Sequence, residues 1–295
     1  MAVTPNTTTT ENISIQAREI DFVTQFEANW DALLEILGIM RPIRKEPGTR
    51  LTSYNATVNL NKEAVVEGDE VPLSQATVVP VAYKDLTLKP YRKRVTAQAV
   101  EKYGAAVAVQ KTDEALMNEV QGEVLDEFYA FALTGTLTSR EATFQMAVSM
   151  AIGKVKDKFK KMRLNYGRVV VFANTLDVHR YLGTANISTQ TQNGVEYLKN
   201  FLGADTMIVS SEIPEGTVVA IPVDNIVLYY IDPADGDFQQ LGLVYTTGIG
   251  ETNLIGVHKE GIYGRVSGDT HVLYGLTLWA EYLDAIAVVT FGAGE

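Results

Sequence analysis

Hydrophobic residues recur at steps of three and four in three segments of the chain, and this period predicts three amphipathic helices. The first helix is predicted from Glu19 to Leu37, with Gly38 as its C-terminal stop. The second is predicted to open at Lys111 or Thr112 and to continue through Leu133. Residues 1–18 are polar and rich in threonine, with no clear period, and are interpreted as an N-terminal arm.

The third predicted helix follows a possible capping box formed by Thr138 and Glu141. Its apolar stripe consists of Phe144, Val148, Ile152, Val155, Phe159 and Met162. Lysines and an arginine crowd its last turn, where cations stabilise the negative end of the helix dipole. A solvated helix end is the favoured interpretation of this basic cluster, with non-specific nucleic-acid contact as the alternative.

Residues 49–99 differ, because two extended runs, RLTSYNATVNL and TVVPVAYKDLTLKPYRKRVTAQAV, flank a polar segment of about 15 residues. This pattern predicts a long hairpin with too little apolar surface to form its own core, so it is expected to contact a neighbouring subunit. The tip of the hairpin is acidic, with Glu63, Glu67, Asp69 and Glu70. The returning strand is basic, with Arg92, Lys93 and Arg94. Charge pairing between subunits is expected to involve both groups.

After Gly167 helices and strands alternate, with RVVVFAN predicted as a buried strand and NTLDVHRYL as a short helix. VEYLKNFLG is predicted as another helix, closed by Gly203. TMIVS, TVVAI and NIVLYYI are predicted strands, and Asp235-Gly236 is expected to form a hairpin turn. The last fifty residues alternate glycine with short β runs. The expected fold class is α+β.

Charge and composition narrow the function classes. Hydrophobic residues make up 46% of the 295 residues and charged residues 21%, as in folded globular chains. Residues 1–165 have 20 basic and 21 acidic side chains, and residues 166–295 have 5 and 15, which gives −1 and −10 of the net −11. An acidic half repels phosphate backbones, so sequence-specific DNA binding is not expected. The apolar runs are too short to cross a membrane, and no secretion signal is expected.

No residue set predicts catalysis, a metal or a cofactor. The absence of cysteine excludes thiolate chemistry. The three histidines, His179, His258 and His271, have no ligand spacing, so a metal site would need distant parts of the chain. Ser267, Asp269 and His271 alternate on one predicted strand, but such neighbours stand roughly 7 Å apart, too far for a nucleophile and its base. The glycines of GIGETN and the aspartates 232, 235 and 237 match no complete cofactor or calcium motif.

The order of these elements resembles tailed-bacteriophage major capsid proteins of the Hong Kong 97 type over residues 15–292. The similar segments are EGDEVPLSQ in the hairpin, KTDEAL at the helix start, FLGADTMIVSSEIPEGTVVAIP in the α/β part and LYGLTLWAEYLDAIAVVTF in the closing sheet. The resemblance implies an N-arm over 1–45, an extended loop (E-loop) over 46–100 and a peripheral domain over 101–165, with a spine helix from Thr112. It further implies an axial domain over 166–245, and C-terminal strands over 246–295 that complete the sheets.

The resemblance also implies a non-enzymatic protein whose partners are further copies of itself, in pentamers and hexamers of an icosahedral shell. This shell would enclose double-stranded DNA, contacted non-specifically, with a portal and a separate scaffolding protein. Assembly would occur in the host bacterial cytoplasm, and the end product would be the virion capsid. Crosslinking between a loop lysine and a distant asparagine, known in the type member, is not predicted from Lys62 and Asn253.

Three alternatives remain open at this point. An encapsulin-like compartment shell has the same fold but packages enzymes. A soluble α/β hydrolase would require the cluster of Ser267, Asp269 and His271. A tail-tube or other ring-forming phage protein is disfavoured by the long predicted spine helix.

Overall fold

The computed structural model describes residues 7–8, 36, 38–46, 50–62, 73–165, 167–185, 190–192, 195–201, 203–223, 225–247 and 254–292. Of the helix predicted from Glu19 to Leu37, only Ile36 lies within these residues, and it is helical and buried. Most of the N-terminal arm and the GIGETN segment also lie outside them. No helix within the described part of the chain is both long and apolar enough to cross a membrane.

Sixteen strands are described, numbered in chain order. They are β1 (Thr7–Thr8), β2 (Arg41–Lys45), β3 (Arg50–Asn59), β4 (Gln75–Asp85), β5 (Leu88–Thr96), β6 (Leu137–Glu141), β7 (Val169–Ala173), β8 (Gln190–Gln192), β9 (Val195–Phe201), β10 (Ala204–Val209), β11 (Thr217–Pro222), β12 (Ile226–Ile231), β13 (Thr246–Thr247), β14 (Ile255–Ile262), β15 (Ser267–Ala280) and β16 (Ala287–Phe291). The α-helices are α1 (Ala97–Tyr103), α2 (Thr112–Ala132), α3 (Phe144–Met162), α4 (Thr175–Ala185) and α5 (Gly236–Gln240).

The first sheet is built around β15, a strand of 14 residues. The first half of β15 lies between β5 and β14, both antiparallel to it, and its second half pairs with β12. The strand β2 then pairs in parallel with β12, and the short β1 pairs in parallel with β5. Thr7 and Thr8 of the N-terminal arm therefore join the sheet of their own chain.

The second sheet has the strand order β6-β16-β11-β7-β10-β9-β8. Its central strand β7 is buried at every position, as expected for a strand that is covered on both faces. One face contributes Phe172, Ile208 and Ile221 to a core shared with α2 and the first sheet. The opposite face packs against α3 and α4 and forms a second core.

The two cores combine distant parts of the chain. Helix α3 packs on the second sheet. Strand β12 belongs to the first sheet, where Leu228 pairs with Leu278. Strand β16 joins the second sheet beside β11. Each sheet is therefore built from strands that lie far apart in the sequence. The domain limits that the resemblance implies stay a prediction.

Several sequence predictions are confirmed. Helix α2 begins at Thr112, and a π-helical turn, Ala106–Lys111, precedes it. The stripe of α3 is buried from Phe144 to Phe159. RVVVFAN and NTLDVHRYL form β7 and α4 as predicted.

Four local predictions are wrong. VEYLKNFLG is not a helix but mainly strand β9, because Gly203, at φ 85°, turns the chain so that β10 pairs antiparallel with it. Asp235-Gly236 opens α5 rather than a hairpin, since the Asp235 carboxylate accepts a hydrogen bond from the Asp237 amide at 3.1 Å. Thr138 and Glu141 lie in β6, not in a capping box. The N-cap of α3 is Thr143, whose hydroxyl accepts a bond from Met146 N.

The fourth correction concerns the second extended run. This run is not one strand but splits into β4, β5 and the short helix α1. Thr96 ends β5 and caps α1, because its hydroxyl accepts a hydrogen bond from the Ala99 amide at 3.3 Å. The predicted hairpin therefore consists of β3 and β4, and β5 belongs to the first sheet.

Candidate assembly interface

The hairpin of β3 and β4 forms a separate two-stranded sheet. Its register runs from Arg50 opposite Asp85 to Asn59 opposite Gln75. Within the described residues, no third strand pairs with this hairpin. A two-stranded hairpin alone is at best marginally stable in water. A partner that packs against this hairpin would therefore stabilise it.

Apolar side chains lie exposed at the far end of the hairpin. Leu73 is 94% exposed and Leu60 is 65% exposed, and Val58 and Val78 on the adjoining strands are also exposed. A hydrogen bond from Asn61 N to Ser74 Oγ, 3.1 Å long, connects the two chain segments beside these leucines. Exposed apolar clusters of this kind mark surfaces for protein contact. We call these four side chains the hairpin apolar cluster.

The predicted acidic tip residues, Glu63, Glu67, Asp69 and Glu70, lie outside the described residues. Their role in contacts between subunits stays a prediction. The predicted basic partners on β5 are described, and each has an acidic partner in its own subunit.

Arg92 and Arg94 both bind Asp269, which lies on the neighbouring strand β15. The Asp269 carboxylate is fully buried and accepts bonds from Nε and Nη2 of Arg94, each 2.6 Å long. Nε of Arg92 lies 2.5 Å from the same carboxylate. Arg94 is nearly buried, whereas the side chain of Arg92 is 50% exposed. Of the two, Arg92 therefore has more surface available for a second partner.

Lys93 points to the opposite face of β5, toward the start of α2. Its amine lies 2.5 Å from Asp113 Oδ1, and Lys259 and Thr270 bind the same carboxylate at 2.7 and 2.8 Å. Burial opposes ionisation of Asp113, but these three hydrogen bonds outweigh it and lower its pKa. Burial also lowers the pKa of Lys93, and the nearby charge of Lys259 acts in the same direction. This cluster fastens the first turn of α2 to the sheet.

A second cluster fastens the middle of α2. Lys89 lies between Glu123, at 2.8 Å, and Glu127, and the Tyr91 hydroxyl donates to Glu123 at 2.5 Å. Desolvation disfavours the Lys89 cation, but the two carboxylates raise its pKa above the ordinary value. Burial raises the pKa of Tyr274, which stacks on Tyr91. The basic strand therefore attaches the spine helix α2 to the first sheet.

Sequence reasoning does not find the acidic partners of Arg92, Lys93 and Arg94. It places Asp269 in a possible hydrolase cluster and Asp113 only at the start of a helix. The alternation of Arg92, Lys93 and Arg94 signals two opposite faces, but the partners lie at separations of up to 177 residues along the chain. Strand register is needed to find them.

A second exposed apolar surface lies at the turn between β14 and β15. Tyr263 is 97% exposed and Val266 is 59% exposed. Val266 has φ 48°, a left-handed conformation that is strained for a β-branched residue. Beside this turn is an open cavity of about 610 Å³ with apolar walls that include Val95, Val100 and Ile262. The turn and its cavity form a second candidate contact surface.

The geometry contradicts the hydrolase alternative. Ser267, Asp269 and His271 do lie on one strand, β15. However, His271 Nε2 lies 3.1 Å from Glu260, the Asp269 carboxylate is occupied by the arginines, and Ser267 Oγ has no hydrogen-bond partner within the described part of the chain. A catalytic serine requires a base within hydrogen-bond reach.

Comparison with known proteins gives a fold. No protein-family model matches the chain, and no curated protein matches it. Solved structures do match, and the match covers most of this chain and most of each matched chain. The mature capsid of bacteriophage PhiM1 has 7% identity and a TM-score of 0.58, covering 96% of this chain and 93% of that one. The capsid structure of cyanophage P-SCSP1u also has 7% identity and a TM-score of 0.58, covering 88% of each chain.

The third structure is an encapsulin, in the holo-SrpI complex from Synechococcus elongatus PCC 7942. It has 13% identity and a TM-score of 0.50, covering 95% of this chain and 91% of that one. These likenesses define a fold class that is found in phage capsid proteins and in an encapsulin. Within it, the chain has the Hong Kong 97-like capsid fold that the sequence resemblance implied, with mixed helix and sheet as predicted.

Proposed function

We propose that this chain is the major capsid protein of a tailed bacteriophage, and that it assembles into the pentamers and hexamers of an icosahedral shell around double-stranded DNA. The observation that carries the proposal is the hairpin of β3 and β4, which projects an exposed apolar cluster on a chain with a capsid fold. A neighbouring copy of the chain suits this hairpin as a partner. In a closed shell each subunit extends its own hairpin onto one neighbour and is contacted by the hairpin of another. Many weak contacts of this kind add up to a stable shell.

The charge pattern supports two separate roles for charged side chains, one within the subunit and one between subunits. The ion pairs of Lys93 and Lys89 hold α2 on the first sheet, and the ion pair of Arg94 with Asp269 joins β5 to β15 within that sheet. Together they stiffen the body from which the hairpin extends. The half-exposed Arg92 and the acidic residues of the hairpin tip are proposed to pair between subunits. Such pairs fix register and partner choice more than they add affinity.

The proposed partners follow from this role. They are further copies of the chain, a separate scaffolding protein, a portal and packaged DNA contacted without sequence preference. Assembly is proposed to occur in the host bacterial cytoplasm, and the mature location is the virion capsid. No catalytic role is proposed.

An encapsulin-like compartment is the second candidate, supported by the likeness to the SrpI encapsulin. The two candidates differ in what the shell contains. Particles purified from the native source or from co-expression with neighbouring genes would hold nuclease-protected DNA in the first case and an enzyme in the second. Mass spectrometry and nucleic-acid extraction of the same particles separate them.

The decisive experiment is negative-stain electron microscopy with light scattering on the purified chain, alone and with a co-expressed scaffolding protein. Closed icosahedral particles, or rings of five and six subunits, are expected. The companion variant lacks residues 63–74, which leaves a short connection between β3 and β4. It is expected to fold but not to assemble. A monomer or dimer under every condition contradicts the proposal, and loss of folding in the deletion contradicts the role given to the hairpin.

A further inference from the structure

Two histidines that are 13 residues apart in sequence lie directly opposite each other in the first sheet. The antiparallel register of β14 and β15 pairs His258 with His271, and the next pair on the same face is Glu260 with Asp269. Because side chains alternate along strands, all four point to the face of the sheet that is turned away from α2. The neighbouring residues Lys259 and Thr270 point the other way, toward Asp113.

The spacing of these groups suits a metal ion. His271 Nε2 lies 3.1 Å from Glu260 Oε1, and the ligand atoms of Glu260, Asp269 and His271 all lie within 4.8 Å of one another. Two ligands on a tetrahedral Zn²⁺, each about 2.1 Å from the ion, stand about 3.4 Å apart. The His271 and Glu260 atoms are therefore already separated by close to one edge of that tetrahedron.

His258, outside this 4.8 Å group, is the candidate third ligand because it lies opposite His271 on the same face. Its ring centroid lies 6.2 Å from that of His271, with a tilt of 46°. Two imidazoles bound tetrahedrally to one ion have centroids about 5.3 Å apart, so the His258 ring needs to approach by about 1 Å. The Tyr245 and His258 rings pack edge to face, with their centroids 6.3 Å apart, and this contact limits the movement of His258 on that side.

A cavity lies beside these side chains. It has a volume of about 130 Å³ and is lined by His258, Glu260, His271 and residues 242–245. A water molecule occupies about 30 Å³, so this space admits an ion with water ligands.

Asp269 is not counted among the ligands, because Arg92 and Arg94 already occupy its carboxylate. It neutralises part of the charge of the two guanidinium groups, which would otherwise repel a cation. The available donor set is then two imidazoles and one carboxylate, with a water as the fourth ligand. Imidazole and carboxylate donors in this combination suit Zn²⁺ and neighbouring transition metals rather than Ca²⁺ or Mg²⁺.

We propose that His258, His271 and Glu260 form a binding site for a divalent transition-metal ion of the Zn²⁺ type. The bound ion connects β14 to β15 beside the residue 242–245 segment and stabilises the folded subunit. This site is independent of the proposed capsid function, since it requires only the register of two strands within one chain.

The test uses the full chain without a polyhistidine tag, freed of metal with a chelator and dialysed against Zn²⁺. One Zn²⁺ per chain is expected, together with a higher midpoint of thermal unfolding, since a ligand that binds only the folded state stabilises it. The His271→Asn, His258→Asn and Glu260→Gln variants are expected to lose affinity by about tenfold or more, because even outer-shell changes have effects of that size. His179→Asn, which changes the histidine on α4, is the matched control and is expected to bind as the original chain does.

The proposal is overturned if the unaltered chain shows no saturable binding, or if the His258→Asn and His271→Asn variants bind Zn²⁺ as tightly as the unaltered chain does. If these variants fold poorly, NMR of the histidine ring protons in the unaltered chain tests whether Zn²⁺ binds at His258 and His271. The signals of His258 and His271 are expected to shift on addition of Zn²⁺ while that of His179 stays in place. Equal shifts at all three histidines, or none, are evidence of surface binding only or of no binding, and reject the site.

Discussion

Asp269 on β15 accepts two hydrogen bonds, each of 2.6 Å, from the guanidinium of Arg94 on β5. The aspartate side chain is fully buried and that of the arginine is 8% exposed. A charge held this far from water depends on its partner, because an uncompensated buried ion has a high desolvation cost. The pair therefore connects the basic strand to the centre of the first sheet.

Replacing Asp269 by Asn is expected to lower the free energy of unfolding by about 3–5 kcal/mol, since it leaves Arg94 buried without an anion. Urea denaturation monitored by circular dichroism measures the change. The control is Asp157→Asn, which removes an exposed pair with Lys161 on α3 and is expected to cost no more than about 1 kcal/mol. Equal losses in the two variants would contradict the role given to burial.

The acid side of the stability profile is expected to depend on Glu123. Desolvation opposes its ionisation, but hydrogen bonds from Lys89 and Tyr91 outweigh it and hold the pKa of Glu123 below its ordinary value of 4.5. A carboxyl group with a lowered folded pKa stabilises the fold above pH 4.5. That contribution is lost as the pH falls through the folded pKa, because the folded state then takes up the proton.

Glu123→Gln is therefore expected to be less stable than the unaltered chain at pH 7, and the difference is expected to narrow below pH 4.5. Unfolding free energies from urea titrations at a series of pH values test this. Glu119→Gln, at an exposed position of the same helix, serves as the control and should leave the profile unchanged. Parallel profiles for Glu123→Gln and the unaltered chain would show that the cluster does not govern acid stability.

Gly135 lies where the chain leaves α2 and passes Ile286. A methyl group on Gly135 would stand 2.6 Å from both the carbonyl oxygen and Cγ2 of Ile286. Gly135→Ala is expected to destabilise the chain by about 1–3 kcal/mol, because the backbone must shift. Gly153→Ala is the opposite case, since Gly153 is exposed within α3 and has open space around it. Thermal unfolding of the Gly153→Ala variant should show a free energy of unfolding higher by about 0.5–1 kcal/mol. If both substitutions stabilise the chain, or both destabilise it, the steric argument is contradicted.

Elements with one strong period could be predicted from the sequence. The spacing of apolar residues along α2 and α3 predicts which face is buried, and the continuous apolar run of β7 predicts a strand covered on both faces. The failures have a shared cause. VEYLKNFL has residues that suit a helix, but β10 offers backbone pairing one turn later in the chain, and tertiary pairing overrides local propensity.

The site residues were harder to predict, because their partners depend on strand register. Alternation along β15 places Asp269 and His271 on one face, yet nothing in the sequence places His258 opposite His271 or Arg94 opposite Asp269. A register shift of one residue would reverse every such contact. The sequence predicts only that the hairpin has too little apolar surface to form its own core. It does not single out Leu60 and Leu73 as the exposed side chains.

The hairpin apolar cluster gives the sharpest test of assembly. In the free subunit Leu60 and Leu73 are mostly exposed, so changing both to Ser is expected to alter the unfolding free energy by no more than about 0.5 kcal/mol per residue. In the proposed shell both side chains are covered by a neighbouring copy. Burial of a leucine contributes about 1.5–3 kcal/mol, and each 1.4 kcal/mol corresponds to about a tenfold change in an association constant.

The double Leu60→Ser, Leu73→Ser variant is therefore expected to need at least about a tenfold higher protein concentration to form particles. Light scattering during a concentration series, with electron microscopy of the end points, measures this threshold. Gln75→Ser, an exposed polar position on the same hairpin, is the matched control and should assemble normally. If the double variant assembles at the original threshold with normal stability, the leucines face solvent in the shell as well, and the hairpin contact depends instead on its charged tip.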